Sequence, residues 1–424
     1  MPQRPVGSLA ITGLLFFIIG FFTWINGPLI TFVRLAFDLD EVSAFLVVFV
    51  FYISYFVLAL PAAAVLKLTG MKQGLALSLG VMAVGAAMFG QFSTQRWYAG
   101  ALSGLFVIGG GLALLQTAVN PYVSILGPIE TASRRIALMG ICNKFGGIIV
   151  PFFIGSLVLR GVGDLAGQVA SADAATKERL LDAFAARIHV PYLAMAGVLV
   201  IMVIFILFSP LPELKGRDAN AEAPRDGSAA RTSIFQFPHL WLGVLCLFVY
   251  VGVEVLAGDA IGTYGAGFGL PLDQTKFFTS LTLGAMLLGY LAGLAAIPRR
   301  LSQQAYLAMS AVLGVAFALG ALFTHGHVSV GFVAALGFAN AMMWPAIFPL
   351  AIKGLGRFTE TGSALLVMGI AGGAVVSQGF AILKQHFDFQ WVFAGLAVPC
   401  YLYILFFALR GHRVGQAEPK TSTP

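Results

Sequence analysis

Charged residues are scarce in this chain. Asp, Glu, Lys and Arg make up 10% of its 424 residues, whereas soluble globular domains carry about 25%. Hydrophobic residues account for 59% of the sequence, and its mean hydropathy is +0.90. Because a water-soluble protein of this length needs a polar surface, the composition excludes that class and indicates a membrane protein.

Sequence motifs for catalysis and metal binding are missing as well. There is no P-loop, no G-x-S-x-G and no H-E-x-x-H. His325 and His327 form an isolated pair in a loop, where solvated side chains are the simpler explanation. The three cysteines, Cys142, Cys246 and Cys400, lie far apart in apolar stretches, which is typical of packed thiols. We therefore expect no catalytic residue, no metal site and no cofactor.

Basic residues give the chain a net charge of +7, but they occur in short loops between apolar stretches. This pattern is typical of membrane topology and not of nucleic-acid binding. Lys and Arg are more frequent in the loops on the side of the N-terminus. The bias predicts that both termini are cytoplasmic.

Apolar stretches long enough to cross a bilayer, which takes about 20 residues, occur twelve times. The first is too long for a signal-peptide core, so we expect it to stay as a span. A polar segment, 213–237, has the composition of a cytoplasmic linker and separates an N-terminal six-helix bundle (1–212) from a C-terminal one (238–424). The expected spans are 9–33, 42–66, 74–93, 98–126, 136–159, 190–211, 239–268, 272–297, 304–323, 328–352, 361–383 and 390–409.

The two predicted bundles resemble each other weakly. The tripeptide Met-Gly-Ile opens both the fifth span, at Met139, and the eleventh, at Met368. Parallel six-span repeats are typical of transporters whose two bundles rock about a site at the membrane midplane. We therefore expect an all-α membrane protein of about twelve transmembrane helices in two pseudo-symmetric six-helix bundles.

Two acids, Glu254 and Asp259, lie in the seventh predicted span, which contains no basic residue between 240 and 268. An acid inside a bilayer costs about 3 kcal/mol on insertion scales, so such acids mark ion or proton sites. Five residues of an ideal helix turn through about 500°, which places the two carboxyl groups on different faces and argues against a dyad. The alternative is a buried neutral acid that bonds a neighbouring helix, and for Asp259 both interpretations stay open.

Lys144 lies in the fifth predicted span. A buried ammonium needs an acid partner. The alternative is that its side chain reaches the cytoplasmic interface or forms an inner-gate contact, since it lies only about 12 Å of helical rise from that end.

Side-chain amides are the other polar groups inside the spans. Gln116 and Asn120 are four residues apart and share a helical face. Their donors and acceptors suit a polyhydroxylated ligand, although amides also join neighbouring helices. Asn26 lies in Trp-Ile-Asn-Gly-Pro at 24–28, which predicts a helix break. The remaining candidates for sugar contacts are Asn143, Asn340, Gln378 and the ring of Trp344.

Five stretches resemble the fucose–galactose–glucose symporter family of the major facilitator superfamily, and its bacterial glucose/galactose branch most of all. The resemblance implies the major facilitator fold and uptake of a hexose with H⁺ or Na⁺ across a bacterial inner membrane. The stretches are FTWINGPLI (22–30), FYISYFVLALP (51–61), GLALLQTAVNPY (111–122), MGICNK (139–144) and YVGVEVLAGD (250–259).

The sequence departs from the fucose–proton branch, which resembles it but has acids where this chain has Gly27 and Gln116. Cation coupling is therefore expected in the seventh span, at Glu254 first, with Asp259 and Lys144. We expect a monomeric symporter in the lipid bilayer that imports a glucose- or galactose-type sugar by alternating access, without enzymatic activity. Alternatives are N-acetylglucosamine or fucose as the substrate and, less favoured, a proton-driven exporter of the same fold.

Overall fold

The computed structural model describes residues 5–125, 132–211, 232–296 and 301–416, and within these ranges it contains helices and no strand. Twelve helical segments are long and apolar enough to cross a membrane. They confirm the twelve predicted spans. The spans are Gly7–Ala36, Glu41–Thr69, Met71–Thr94, Tyr98–Asn120, Arg135–Leu157, Ala174–Phe208, Pro238–Gly258, Leu272–Ala296, Gln303–Phe323, Gly326–Ile352, Thr361–Leu383 and Phe389–Leu409.

The first six spans form the N-terminal half. One further helix, Val162–Ser171, lies between the fifth and sixth spans, and the sixth span consists of the helices Ala174–Ala186 and His189–Phe208. The described α-helices of this half are Pro5–Thr23, Asn26–Ala36, Glu41–Ala44, Leu46–Thr69, Met71–Thr94, Tyr98–Ile125, Ala132–Leu157, Val162–Ser171, Ala174–Ala186 and His189–Phe208.

The last six spans form the C-terminal half. Its described α-helices are Pro238–Gly258, Ile261–Ala266, Leu272–Thr275, Phe278–Ala296, Gln303–Phe323, Gly326–Asn340, Met343–Ile352, Thr359–Met368, Gly372–Leu383 and Phe389–Leu409. Its 3₁₀ turns are Ile234–Gln236, Gly356–Phe358, Gly369–Ala371 and Gly411–Arg413.

Contacts within each half are extensive, and the two halves meet mainly along two pairs of spans, the fifth with the eighth and the second with the eleventh. This is the predicted arrangement of two six-helix bundles. Of the predicted linker 213–237, residues 213–231 lie outside the described part of the chain. We call the side at which the first span begins the near side, and the opposite side the far side.

Several of the spans are interrupted, among them the first, the predicted seventh (239–268) and the tenth. The first breaks between Thr23 and Asn26, as the sequence predicts, but breaks in the seventh span after Gly258 and in the tenth after Asn340 were not expected. At the break in the seventh span, the hydroxyls of Thr279 and Thr282 each donate to a backbone carbonyl at 2.8 Å, those of Gly258 and Ala257 respectively. Threonine side chains of a neighbouring helix thus satisfy carbonyls that an interrupted helix frees inside a membrane.

Candidate functional site

A cavity of about 110 Å³ lies between the two halves. It is smaller than the roughly 300–1,000 Å³ of typical ligand pockets, so a bulky ligand does not fit without widening. Both halves line it, with polar groups from spans 1, 2, 4, 5, 7 and 8. Six of the residues predicted from the sequence are in its lining: Gln116, Asn120, Asn143, Lys144, Glu254 and Trp344.

An ion pair crosses the cavity between the halves. Lys144 Nζ in the fifth span lies 2.9 Å from Glu254 Oε1 in the seventh, and the two side chains are only 7% and 10% exposed. Lys144 therefore has the acid partner that a buried ammonium needs. Its side chain does not extend to the cytoplasmic interface in this structure. A buried pair of this kind is neutral as a whole, and each charge depends on the other.

The same ammonium lies over the indole of Trp24, 4.5 Å from the ring centroid. Close backbone approach on two sides fixes this ring. A Cβ on Gly147 would lie 2.5 Å from its Cδ1 atom, and a Cβ on Gly258 would lie 2.3 Å from its Cζ3 atom. Trp24 is thus held between the fifth and seventh spans, where it presents its π face to Lys144.

The amides of the fourth span face the cavity together, as their spacing predicts. Gln116 Nε2 donates to the hydroxyl of Tyr55 at 3.1 Å, which fixes the orientation of this amide. Trp344, predicted as a stacking surface, packs against Phe348 with ring centroids 5.9 Å apart and also lines the cavity.

Tyrosine hydroxyls are the part of the site that the sequence did not reveal. Tyr52, Tyr55, Tyr250 and Tyr290 all line the cavity. A signal was present, because Tyr52 and Tyr55 are three residues apart and Tyr250 lies one turn before Glu254, so that each pair shares a helical face. Buried phenols donate and accept hydrogen bonds while they contribute apolar surface.

Three predicted sugar-contacting amides lie outside this lining. Asn26 Nδ2 donates to the Thr23 carbonyl at 3.2 Å, across the break in the first span. The hydroxyl of Tyr401 donates to Asn340 Oδ1 at 2.9 Å. Gln378 Nε2 donates to the Val42 carbonyl at 3.1 Å. In this state the three amides join helices, and their contact with sugar stays a prediction.

Asp259 also lies outside the lining, at the break in the seventh span, and is 1% exposed. Its Oδ1 atom accepts the backbone N–H of Gly27 at 3.1 Å. Its Oδ2 atom lies 3.4 Å from the hydroxyl of Tyr52, which donates to it. Asp259 and Glu254 thus have separate partners, as expected of two acids that do not form a dyad.

The far side is closed by further contacts between the halves. Lys384 Nζ lies 2.6 Å from Glu41 Oε1. A short helix begins at Glu41 and is capped by the side chain of Asp40. The backbone N–H of Ser43 donates to the carboxylate of Asp40 and lowers the pKa of Asp40 below its usual value. Other contacts between the halves join Gln378 to Val42, Lys276 to the carbonyl of Leu159, Asp273 to the N–H of Gly163 and Ser280 to the carbonyl of Ile148.

Metal-binding clusters do not occur in the described ranges: no three His, Cys, Asp or Glu side chains come together there. The polar groups that line the cavity include amides, phenols and the Lys144–Glu254 ion pair. Such groups can hydrogen-bond an uncharged ligand and exchange a cation at a carboxylate.

Twelve spans in two bundles around a central cavity are typical of one large family of transporters. A comparison of the sequence with that family tests whether the chain belongs to it. The sequence model of the Major Facilitator Superfamily matches residues 12–378. The chain belongs to the major facilitator superfamily. It is accordingly a multi-pass bacterial membrane protein with the fold of that family.

Named relatives within the superfamily are sugar transporters. The chain is 33% identical over 416 residues to a glucose/galactose transporter of Brucella abortus, covering 97% of this chain and 96% of that protein. It is 29% identical to the L-fucose-proton symporter of Escherichia coli, over 84% of this chain and 83% of that one. Among solved structures, the transporter FucP in its outward conformation is similar with a TM-score of 0.75 and 26% identity, covering 96% of this chain and 99% of that one.

Proposed function

We propose that this protein is a transporter and not an enzyme, and that it imports a hexose of the glucose or galactose type by symport with H⁺ or Na⁺. The observation that carries the proposal is the neutral cavity between the halves, lined by amides and phenols beside a buried ion pair. The relatives named as glucose/galactose transporters support the choice of sugar.

The chemistry of the lining favours a neutral polyol. Each sugar hydroxyl both donates and accepts, and Gln116, Asn120 and Asn143 offer both functions. Trp344 adds an aromatic surface for the apolar face of the ring. Because Glu254 and Lys144 neutralise each other, the site offers no net charge to an acidic or basic ligand. The small volume favours a monosaccharide over the larger apolar compounds that a drug exporter would carry.

Coupling is assigned to the ion pair. A proton that binds the carboxylate of Glu254 removes the charge that holds Lys144 at 2.9 Å, and a bound Na⁺ compensates that charge. Because the pair joins the two halves, its loss weakens one contact between them. The freed ammonium keeps the indole of Trp24 as a second, weaker partner. Asp259 is the second candidate for cation binding.

The two sides of the protein can be assigned to the two faces of the membrane. We place the near side in the cytoplasm, with both termini there, in the inner membrane of a bacterium and as a monomer in the lipid bilayer. The basic loops of the sequence support this orientation. The far side, closed by the Lys384–Glu41 pair and the contacts around it, faces outward, so that this state is one that releases sugar inward.

A panel of labelled sugars tests the substrate. Purified protein in lipid vesicles is offered glucose, galactose, fucose and N-acetylglucosamine separately, with a pH gradient or a sodium gradient imposed one at a time. Saturable uptake of glucose or galactose, mutually competitive and faster than that of the other two, is the expected result. Preference for fucose or N-acetylglucosamine would move the substrate to another branch of the family, and transport of none would refute the proposal.

A further inference from the structure

The carboxylate of Asp259 has an unusual environment for a charged group at membrane depth. It is 1% exposed, and the ion pairs of the described residues do not include it. Its hydrogen-bond donors are Gly27 N–H and the Tyr52 hydroxyl, which both belong to the N-terminal half. A buried carboxylate without donors is costly. Both of these hydrogen bonds of Asp259 therefore exist only while the two halves are in contact.

The two donors differ in strength and in place. The Gly27 N–H is 3.1 Å from Asp259 Oδ1 and belongs to the break in the first span. A Cβ at Gly27 would lie 2.5 Å from the Thr279 hydroxyl and 3.3 Å from Asp259 Cα, so this approach needs glycine. The Tyr52 hydroxyl is 3.4 Å from Asp259 Oδ2. That distance is long for an O–H···O hydrogen bond, so this bond is the more easily exchanged.

Tyr52 is in addition part of the cavity lining. Its ring packs on the eleventh span, where a Cβ on Gly373 would lie 3.2 Å from Tyr52 Cγ. On its other side it stacks with Tyr55, at a centroid distance of 6.4 Å and an angle of 25°. Tyr55 in turn accepts from Gln116. Two stacked phenols, Tyr55 and Tyr52, thus lie between the amide of Gln116 in the cavity and the carboxylate of Asp259.

A phenol has one O–H and can donate it to one partner at a time. We propose that Tyr52 is a positioning residue that exchanges its hydroxyl between Asp259, when the far side is closed, and a hydroxyl of the sugar, when the far side is open. The exchange with a sugar hydroxyl rests on the proposed function. In the closed state the sugar lacks this donor and binds more weakly, which favours its release on the near side. By linkage, bound sugar disfavours closure at Asp259 to the same degree.

The test compares two neighbouring phenols. Tyr52→Phe removes the donor to Asp259, whereas Tyr55→Phe removes a phenol of the same cavity that does not contact Asp259. Spin labels at Gln95→Cys and Gln385→Cys, two exposed far-side positions on opposite halves, report far-side opening by electron–electron distance measurements. The three native cysteines are replaced first, and the full chain is studied in lipid nanodiscs with and without glucose.

Tyr52→Phe should populate the longer far-side distance without sugar, raising the ratio of open to closed molecules roughly 2- to 10-fold, as expected for one hydrogen bond. Glucose should then shift its distance distribution less than it shifts the wild type. Tyr55→Phe should weaken glucose binding but keep the wild-type distribution without sugar. Asp259→Asn, which keeps the shape of the acid and weakens the bond, should open the far side as Tyr52→Phe does.

A wild-type distance distribution in sugar-free Tyr52→Phe would overturn the inference. An equal shift in Tyr55→Phe would do so too, because the effect would then belong to any lost phenol. If the wild type binds neither glucose nor galactose, the proposed function fails, while the sugar-free comparison of the two variants still decides whether Tyr52 holds the far side closed.

Discussion

Removal of one member of the Lys144–Glu254 pair should be costly, and removal of both should be much less so. In Glu254→Gln the ammonium of Lys144 stays buried, 7% exposed as a side chain, without its counter-charge. Breaking a buried pair in this way costs about 3–5 kcal/mol. The double variant Lys144→Met/Glu254→Gln leaves no buried charge and should recover most of that stability. Lys144→Met alone leaves the carboxylate of Glu254 buried without its counter-charge and should be destabilised by a similar amount.

Thermal unfolding of the wild type, the two single variants and the double variant in the same detergent measures these differences in stability. Transport by the same proteins in vesicles separates stability from coupling. One charge moved through 100 mV supplies about 2.3 kcal/mol, which permits roughly 50-fold accumulation per coupled cation. The wild type should approach this ratio. The stable double variant should exchange internal for external sugar but accumulate none.

Glu178→Gln provides the control, since its side chain is 63% exposed on the helix Ala174–Ala186. It should change neither stability nor accumulation by a measurable amount. Normal accumulation by Glu254→Gln, or a double variant as unstable as Glu254→Gln, would refute the reasoning.

Other predictions concern binding and packing. Gln116→Leu removes an amide from the cavity and should raise the KM for sugar uptake about 2- to 10-fold, the range of one net hydrogen bond, with little change of stability in a thermal melt. In Gly20→Ala the new Cβ would lie 1.8 Å from the Asn143 carbonyl, so the melting temperature should fall, whereas Gly284→Ala has no atom within 4 Å and should be neutral or mildly stabilising. Thr279→Val leaves a carbonyl at the break in the seventh span without its donor and should cost about 1–3 kcal/mol by equilibrium unfolding.

The spans were predictable because hydropathy and length are local properties of the sequence. Pairing of Lys144 with an acid was predictable as well, since a buried ammonium needs one. Glu254, Lys144 and Gln116, which the sequence predicts as site residues, all line the cavity. What a sequence cannot supply is the partner of a group when the partner lies on the other half, such as the Gly27 N–H, which is 232 residues from Asp259 along the chain.

The partners of the amides were not predictable from the sequence either. An amide in an apolar span must be buried or face a cavity, but its spacing does not say which neighbour it contacts. Asn340 contacts a tyrosine of the twelfth span and Gln378 a carbonyl of the second. The break in the seventh span was missed for the same reason, because the threonines that satisfy its carbonyls come from the eighth span. Periodicity assigns a face to a residue, and tertiary packing assigns its partner.

Accumulation of labelled glucose in vesicles that contain only this protein tests the central claim most directly. With an inward gradient of H⁺ or of Na⁺ imposed, the internal glucose concentration should rise above the external one for one of the two cations. It should then fall back to the external value when an ionophore dissipates that gradient. Entry of glucose that never exceeds the external concentration under either gradient would contradict cation symport.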